Sequence, residues 1–113
     1  MTEWRALALM MLLLLPGLVA AETVRVGGDH AYPPYEFIND RGEATGFNVD
    51  LIRAVGEIAD FEPEFQLTPW SEARRAIASG DIDIVASFVA DFRMDDMDFA
   101  TPHLIVNHEI FVR

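Results

Sequence analysis

The sequence predicts an α/β fold in which a parallel sheet is flanked by helices. From residue 22 onward, segments of strand-like periodicity alternate with segments of helical periodicity, in the order strand, helix, strand, helix, strand. This order is typical of parallel strands joined by right-handed helical crossovers. Turn-forming Gly, Pro, Asn and Asp residues separate the segments, which supports the same division of the chain.

The beginning of the chain, residues 1–21, is predicted to be a secretory signal peptide. Arg5 supplies a short positive region, and an uninterrupted apolar run extends from Ala6 to Leu15. The small residues of a cleavage site follow at Val19-Ala20-Ala21. An uncleaved membrane-spanning helix is the alternative, but spanning needs about 20 apolar residues and this run is shorter. The mature chain, residues 22–113, is therefore expected to begin at Glu22.

Composition narrows the classes of function. The chain has 8 basic and 19 acidic residues, a formal net charge of −11 and no cysteine. Binding of nucleic acid is disfavoured, because neutralising phosphates requires a basic patch. The acidic residues are spread along the chain, which argues against a disordered acidic tail. Without cysteine there is no disulfide framework and no lipid-modified cysteine at the cleavage site.

The first strand is predicted over Thr23 to Gly28, where Val24 and Val26 lie on one face with a period of two. A loop is predicted over Asp29 to Gly46. It contains paired prolines and an aromatic density that is unusual for a loop, namely Tyr32, Tyr35 and Phe37.

A helix is predicted from Phe47 onward, because the apolar residues change to helical spacing. Asn48 is placed to cap its first turn, and Arg53 and Glu57 are expected to form an exposed pair one turn apart. The predicted apolar face consists of Leu51, Ile52, Val55, Ile58 and Ala59.

A second strand, a second helix and a third strand follow. Apolar and polar residues alternate from Phe61 to Leu67, which predicts a strand. Thr68 at the N-cap and Pro69 at the first helical position predict a helix start, and Gly80 stands where a C-terminal cap belongs. The third strand is predicted at Ile82, Ile84 and Val85.

The candidate site lies at the carboxyl ends of these strands, where parallel sheets bind ligands. Three loops leave that edge: Gly28 to Pro34, Thr68 to Trp70, and Ala86 to Arg93. They are expected to bring four residues together, namely Tyr32, Trp70, Ser87 and Arg93.

Five short motifs occur in order along the chain. They are Val24-Arg25-Val26-Gly27, Tyr32-Pro33-Pro34-Tyr35-Glu36-Phe37, Gly46-Phe47-Asn48-Val49-Asp50-Leu51, Gly80-Asp81-Ile82-Asp83 and Asp98-Phe99-Ala100-Thr101-Pro102. With these motifs the chain resembles family 3 of the bacterial extracellular solute-binding proteins. The resemblance implies a periplasmic-binding-protein-like lobe. Because similar proteins have two lobes that close on the ligand, it also implies that residues 22–113 form only the first segment of one lobe, an incomplete site.

The resemblance assigns a cation to the candidate site. In similar proteins, the arginine six residues before the phenylalanine of the last motif binds the ligand carboxylate, and Arg93 stands at that distance from Phe99. A guanidinium group suits this role because its planar fork meets a carboxylate bidentately. The alternative is a solvated arginine that pairs with Asp95 or Asp96.

Four further residues complete the ligand-binding prediction. Tyr32 and Trp70 match positions where similar proteins place aromatic rings against the ligand, with ordinary core packing as the alternative. Asp29 either orients its loop or accepts from a ligand ammonium group, although loop aspartates often only cap turns. Ser87 is a candidate donor to the ligand carboxylate.

No catalytic residue, cofactor or metal is expected. His30, His103 and His108 share no metal-ligand spacing, and no cysteine assists them. Asp81 and Asp83 alternate with the apolar Ile82 and Ile84, so they are expected to face outward or cap the strand. Phosphate-binding loops, nucleophile elbows and catalytic triads have no counterpart in the sequence.

The resemblance implies periplasmic binding of a small polar solute, and the family's usual ligands point to an amino acid. The expected partner is an inner-membrane permease of an ABC transporter or a sensor kinase in the same membrane. One alternative is an exported enzyme on the same fold, dehydratase-like or linked to a cell-wall lyase, with Glu36 or Asp29 as general acid. Another is a fragment that binds nothing.

Overall fold

The structure is a computed structural model that describes residues 20–86, 97–104 and 110–112. Within these ranges the chain forms two small sheets and two helices. In chain order the elements are β1 (Glu22–Asp29), β2 (Ala31–Tyr32), β3 (Glu36–Ile38), β4 (Ala44–Thr45), α1 (Phe47–Ala59), β5 (Phe61–Thr68), α2 (Trp70–Ser79) and β6 (Ile84–Val85).

The main sheet is parallel, with β1 between β5 and β6. Strand β5 pairs with β1 along its whole length, from Glu22 opposite Phe61 to Asp29 opposite Thr68. Strand β6 pairs more briefly, through Ile84 and Val85. Helices α1 and α2 provide the connections between these strands. The α/β prediction with a parallel sheet is therefore confirmed.

The core lies between the sheet and its two helices. The buried apolar residues come from β1, α1, α2 and the turn before β6, namely Val26, Val49, Ala73 and Ile82. Gly27 lies directly against Ile82, and a Cβ atom at this glycine would overlap the Ile82 Cδ1. The middle of β1 therefore needs a residue without a side chain to let Ile82 reach the sheet.

A second, antiparallel sheet lies in the segment predicted as a loop, so that part of the prediction is wrong. Strands β2, β3 and β4 pair in sequence, with Tyr32 opposite Glu36 and Phe37 opposite Thr45. Asn39 closes the β3–β4 turn, because its Oδ1 accepts from two backbone N–H groups. These strands have only two or three residues each, which is too short for a period of two to become visible in the sequence.

Helix α1 begins without the predicted cap. Its N-cap is Gly46, with φ 121°, and Asn48 lies inside the first turn, where its side chain makes no capping hydrogen bond. The carbonyl oxygens of Pro34 and Tyr35 instead accept from the N–H groups of Phe47 and Asn48, at 3.0 and 2.8 Å. Backbone groups of the preceding loop thus satisfy donors that a side chain was expected to satisfy.

The buried face of α1 also differs from the predicted one. Val49 and Gly56 are buried, whereas Val55 is exposed and Ile58 is 87% exposed. The helix meets β5 at Gly56, where a Cβ atom would lie 2.7 Å from the carbonyl oxygen of Phe61. A pattern of apolar residues does not reveal such a glycine contact. The predicted apolar face is therefore rotated about the helix axis relative to the face that is buried.

The predicted ion pair on α1 is wrong as well. Arg53 lies 3.6 Å from Asp50, one turn toward the start of the helix, and stands over the ring of Phe65 on β5. Attraction to the Phe65 ring and to the Asp50 carboxylate accounts for the direction of the Arg53 side chain, away from Glu57.

Helix α2 begins one residue later than predicted. Thr68 is the last residue of β5, Pro69 is the N-cap and Trp70 is the first helical residue. The pairing of Thr68 with Asp29 keeps it in the sheet, so it does not serve as the predicted N-cap. The helix ends at Gly80 with φ 80°, and the cap predicted there is confirmed. None of the helices in the described ranges is both long enough and apolar enough to cross a membrane.

Candidate functional site

Two of the three predicted loops meet at the carboxyl edge of the parallel sheet. Asp29 and Thr68 end their strands side by side, and the N–H of His30 donates to the carbonyl oxygen of Thr68 at 3.0 Å. Tyr32 follows the first of these strand ends, and Trp70 follows the second. The structure thus brings the segments that carry Asp29, Tyr32 and Trp70 to one edge.

The other two predicted site residues, Ser87 and Arg93, lie outside the described residues. The third loop leaves the sheet after Val85, which pairs with Gly27 beside the strand ends just described. Their roles as carboxylate donor and carboxylate anchor therefore stay predictions.

Asp29 is half-buried and shapes the loop that follows it. Its Oδ1 accepts from the N–H of Ala31 at 2.9 Å, and its own N–H donates to Glu36 at 2.8 Å. Among the described residues, its Oδ2 accepts no hydrogen bond. One of the two predicted roles, orienting the loop, is thus visible, and the other, accepting from a ligand ammonium group, stays a prediction.

Tyr32 and Tyr35 form a pair of aromatic rings next to Asp29. Their ring centroids lie 5.2 Å apart with an angle of 32° between the planes. The N–H of Tyr35 donates to the carbonyl oxygen of Tyr32 at 3.0 Å across a cis Pro33-Pro34 bond. Tyr35 was not predicted as a site residue, although the two tyrosines that flank the paired prolines were a visible signal for it.

Glu36 is the buried charged residue of the site, with 4% of its surface exposed. Its Oε1 accepts from the N–H of Asp29 at 2.8 Å, and its Oε2 accepts from Asn48 Nδ2 at 3.1 Å. Burial raises the pKa of this carboxyl, and the nearby Asp29 carboxylate adds to the rise, while the two hydrogen bonds oppose it. Sequence reasoning considered Glu36 only as a general acid and missed this bridging arrangement, which depends on residues distant in the chain.

Residues 97–104 approach the start of α1 through His103. Its Nε2 lies 3.2 Å from Asn48 Oδ1, and its ring stacks on Phe47 with the centroids 6.1 Å apart. Since Asn48 presents its Nδ2 to Glu36, its oxygen faces His103, and the histidine Nε2 is the donor in this contact. Asn48 therefore joins the buried carboxylate to this later segment.

A cavity of about 430 Å³ lies between α1 and β5, at the opposite end of β5 from Thr68. Its lining includes Arg53, Gly56, Phe61 and Pro63. Because it opens at the amino end of the sheet, it is separate from the candidate site. In the described part of the chain, no group of three or more His, Cys, Asp or Glu residues could hold a metal ion.

Comparison with known proteins gives consistent results. A family model described as bacterial extracellular solute-binding proteins, family 3, matches residues 24–113. A protein of Neisseria gonorrhoeae named "Probable histidine-binding protein" is 32% identical over 99 residues, which cover 86% of this chain and 37% of that protein. The chain thus spans little more than a third of the length of this relative.

Two solved structures share the fold. The sensor domain of a histidine kinase with similarity to periplasmic binding proteins is 40% identical, with a TM-score of 0.61 over 66% of this chain and 34% of that one. An ancestral amino acid-binding protein, a precursor of cyclohexadienyl dehydratase, is 31% identical, with a TM-score of 0.65 over 73% of this chain and 37% of that one. The predicted fold, a partial periplasmic-binding-protein lobe, is confirmed by these matches.

Proposed function

We propose that this chain, which belongs to family 3 of the bacterial extracellular solute-binding proteins, contributes one wall of a binding site for an amino acid. The observation that carries this proposal is the arrangement at the carboxyl edge of the sheet. There Asp29 ends β1, and one of its carboxylate oxygens accepts no hydrogen bond among the described residues. The segment that follows carries the paired rings of Tyr32 and Tyr35.

This arrangement suits the chemistry of a zwitterion. The ligand's ammonium group needs an acceptor, which Asp29 Oδ2 supplies, and its side chain needs an apolar wall, which the tyrosine rings supply. The ligand carboxylate needs a fixed cation, and we assign that role to Arg93 because of the planar fork of its guanidinium group. Trp70 and Ser87 complete the proposed set.

The same family supports a proposal for the whole protein's partners. The relative from Neisseria is named for binding histidine, and one solved structure is the sensor domain of a kinase. We propose that the protein works outside the cytoplasm, after cleavage behind Ala21. There it would report ligand occupancy to a permease of an ABC transporter or to a sensor kinase.

Binding without chemical conversion is the function that the site supports best. The dehydratase connection of one relative keeps an enzyme as the second candidate. However, both carboxylate oxygens of Glu36 already accept from N–H groups, and the side chain is almost fully buried. A carboxylate held in this way is an acceptor inside the wall of the site, whereas a general acid has to reach the substrate.

Thermal unfolding of the full protein with a panel of amino acids tests the proposal. A ligand at one hundred times its dissociation constant adds about 2.7 kcal/mol to the free energy of unfolding. We expect one class of amino acid to raise the Tm of the wild type and of Arg41→Ala, an exposed arginine that serves as control, but not that of Arg93→Ala.

Two outcomes would contradict the proposal. If no amino acid raises the Tm at millimolar concentration, the amino acid site is wrong. If mass spectrometry finds the stabilising compound converted to a product, the protein is an enzyme and the binding-only function is wrong.

A further inference from the structure

We propose that Glu36 is a positioning residue for the ligand: its buried carboxylate fixes the backbone of Asp29 and thereby aims the Asp29 side chain at the ligand's ammonium group. This inference rests on the proposed amino acid site. It assigns to Glu36 an effect on ligand affinity that is exerted through Asp29, without a contact to the ligand.

Glu36 connects two elements of the fold through its hydrogen bonds. The two carboxylate oxygens accept from two different elements, the N–H of Asp29 at the end of β1 and the side-chain amide of Asn48 in α1. With 4% of its surface exposed, Glu36 has little surface left for a ligand. Hydrogen bonds to an ionised acceptor are stronger than neutral ones, so the carboxylate holds these two elements firmly together.

Asp29 is held at its backbone and at its side chain. Its N–H is bound to Glu36, and its Oδ1 closes a turn onto the N–H of Ala31, so that both ends of the same residue are fixed. A shift of the Asp29 backbone would move the turn and with it Oδ2, the carboxylate oxygen that accepts no hydrogen bond among the described residues. The position of the proposed ammonium acceptor therefore depends on Glu36.

The Asn48 amide has a fixed orientation between Glu36 and His103. Its NH₂ group donates to Glu36, so its oxygen faces His103 Nε2, at 3.2 Å. The partner at position 36 thus meets two donors, one from Asn48 and one from Asp29. With the Asn48 amide in this orientation, both donors are satisfied separately only by a residue with two acceptor atoms, which a carboxylate has and a carboxamide has not.

Gly28 makes room for this arrangement. A Cβ atom at Gly28 would lie 2.8 Å from Glu36 Oε1 and 3.1 Å from Leu67 Cδ2. The carboxylate thus lies against the bare backbone of β1, one residue before Asp29. Its close approach to the strand is what allows the Glu36 oxygen to reach the N–H of Asp29.

The test is the ligand affinity of Glu36→Gln and of the double variant Glu36→Gln/Asn48→Asp in the full protein. The amide of Glu36→Gln offers one acceptor to two donors, and we expect about a tenfold loss of affinity for the amino acid that binds the wild type. In the double variant, the amide introduced at position 36 donates to the carboxylate introduced at position 48 and still accepts from Asp29. We therefore expect most of the affinity to return.

The Asp29 amide signal in the NMR spectrum is the second readout. We expect its proton far downfield and slow to exchange in the wild type, shifted upfield and faster to exchange in Glu36→Gln, and restored in the double variant. A purely structural role would lower the Tm of Glu36→Gln and leave the affinity of the folded protein unchanged. That result would overturn the proposal, as would a folded double variant that stays weak.

Folding and function can be separated in this design. If Glu36→Gln does not fold, the double variant alone decides: near wild-type affinity supports the proposal, and lost affinity in a folded protein overturns it. If the wild type binds no amino acid, the proposed function fails, and the Asp29 signal still reports on Glu36. Its change in Glu36→Gln and recovery in the double variant would support the hold on Asp29, and an unchanged signal would overturn it.

Discussion

Arg25 and Asp83 form a paired contact, with Nη2 of the guanidinium group 2.8 Å from Oδ1 of the carboxylate and Nε 3.0 Å from Oδ2. Their backbones are also involved: the N–H of Arg25 donates to Asp83 Oδ2 at 2.9 Å, and the N–H of Asp83 donates to the carbonyl oxygen of Arg25 at 2.8 Å. Arg25 Nη2 further donates to the carbonyl oxygen of Gly80. These bonds tie β1 to the turn before β6, a strand that pairs through only two residues.

This contact predicts a pH-dependent stability. The hydrogen bonds from Arg25 lower the pKa of Asp83 from 3.8 to about 2. A carboxyl whose pKa is lower in the folded state stabilises the fold above its unfolded pKa, and this stabilisation disappears as the pH falls toward the folded value. We therefore expect Arg25→Met to have a lower Tm than the wild type at neutral pH, and the difference to shrink between about pH 4 and pH 2.

The control for this experiment is Arg41→Met. Arg41 pairs with Glu43 at 3.1 Å, but its side chain is 81% exposed, and such pairs contribute little to stability. We expect its Tm to follow that of the wild type at every pH. A difference between Arg25→Met and the wild type that stays constant from neutral pH to pH 2 would contradict the role given to the ionised Asp83.

A second prediction concerns the contact between Gly27 and Ile82. The Cβ atom of Gly27→Ala would overlap the Ile82 Cδ1, and overpacking of a core costs about 1–3 kcal/mol. Ile82→Val removes that methyl group at a cost of about 0.5–1.5 kcal/mol. Because the second change opens the space that the first one fills, we expect the double variant to lose less than the sum of the two single losses.

Chemical denaturation of the four proteins measures this coupling as a double-mutant cycle. Additive losses would show that the overlap at Gly27 is relieved in some other way. The contact between Gly27 and Ile82 could not be predicted from the sequence. The alternation of Val24 and Val26 predicted the strand, but no periodicity shows that Ile82 needs a glycine across from it.

The fold could be predicted from the sequence wherever one element shows its own pattern. The alternation in β5 and the glycine stop of α2 at Gly80 are local features, and both predictions are confirmed. The start of α1 at Phe47 was also predicted, but its cap was not, because the carbonyl oxygens of Pro34 and Tyr35 accept from its first N–H groups. Those acceptors come from a loop whose position only the tertiary structure reveals.

The same distinction applies to the candidate site. Asp29 could be predicted to orient its loop, since loop aspartates do so through their own neighbouring N–H groups. The bridge through Glu36 and Asn48 could not, because it joins positions twelve residues apart whose meeting depends on the short antiparallel sheet. A carboxyl group in a sequence does not show whether it will be buried.

The glycines at positions 46 and 42 give a third prediction. Both have a positive φ, 121° and 77°, so alanine is strained at either position. A Cβ atom at Gly46 would also overlap the carbonyl oxygen of Tyr35, whereas one at Gly42 would meet no atom within 4 Å. We expect Gly42→Ala to cost about 1 kcal/mol, from strain alone, and Gly46→Ala to cost clearly more.

Urea denaturation of both variants checks this difference. Equal losses would mean that the loop before α1 moves away from an added Cβ atom without penalty. That result would also weaken the argument that the Pro34 and Tyr35 carbonyl groups hold the start of the helix in place.

The last prediction tests the aromatic wall of the proposed site. Tyr32→Ala removes a ring that lies 5.2 Å from that of Tyr35. If this ring packs against the ligand, its loss costs more than about 1 kcal/mol of binding free energy, and affinity falls by about tenfold. Tyr32→Phe keeps the ring and is expected to keep most of the affinity, since packing depends on the flat surface and not on the hydroxyl group.

Calorimetric titration of both variants with the ligand that stabilises the wild type measures the two affinities. Equal affinities of Tyr32→Ala and the wild type, with both proteins folded, would place Tyr32 in the packing of its own segment and would leave Asp29, Tyr35 and Trp70 as the described candidates for contact with the ligand.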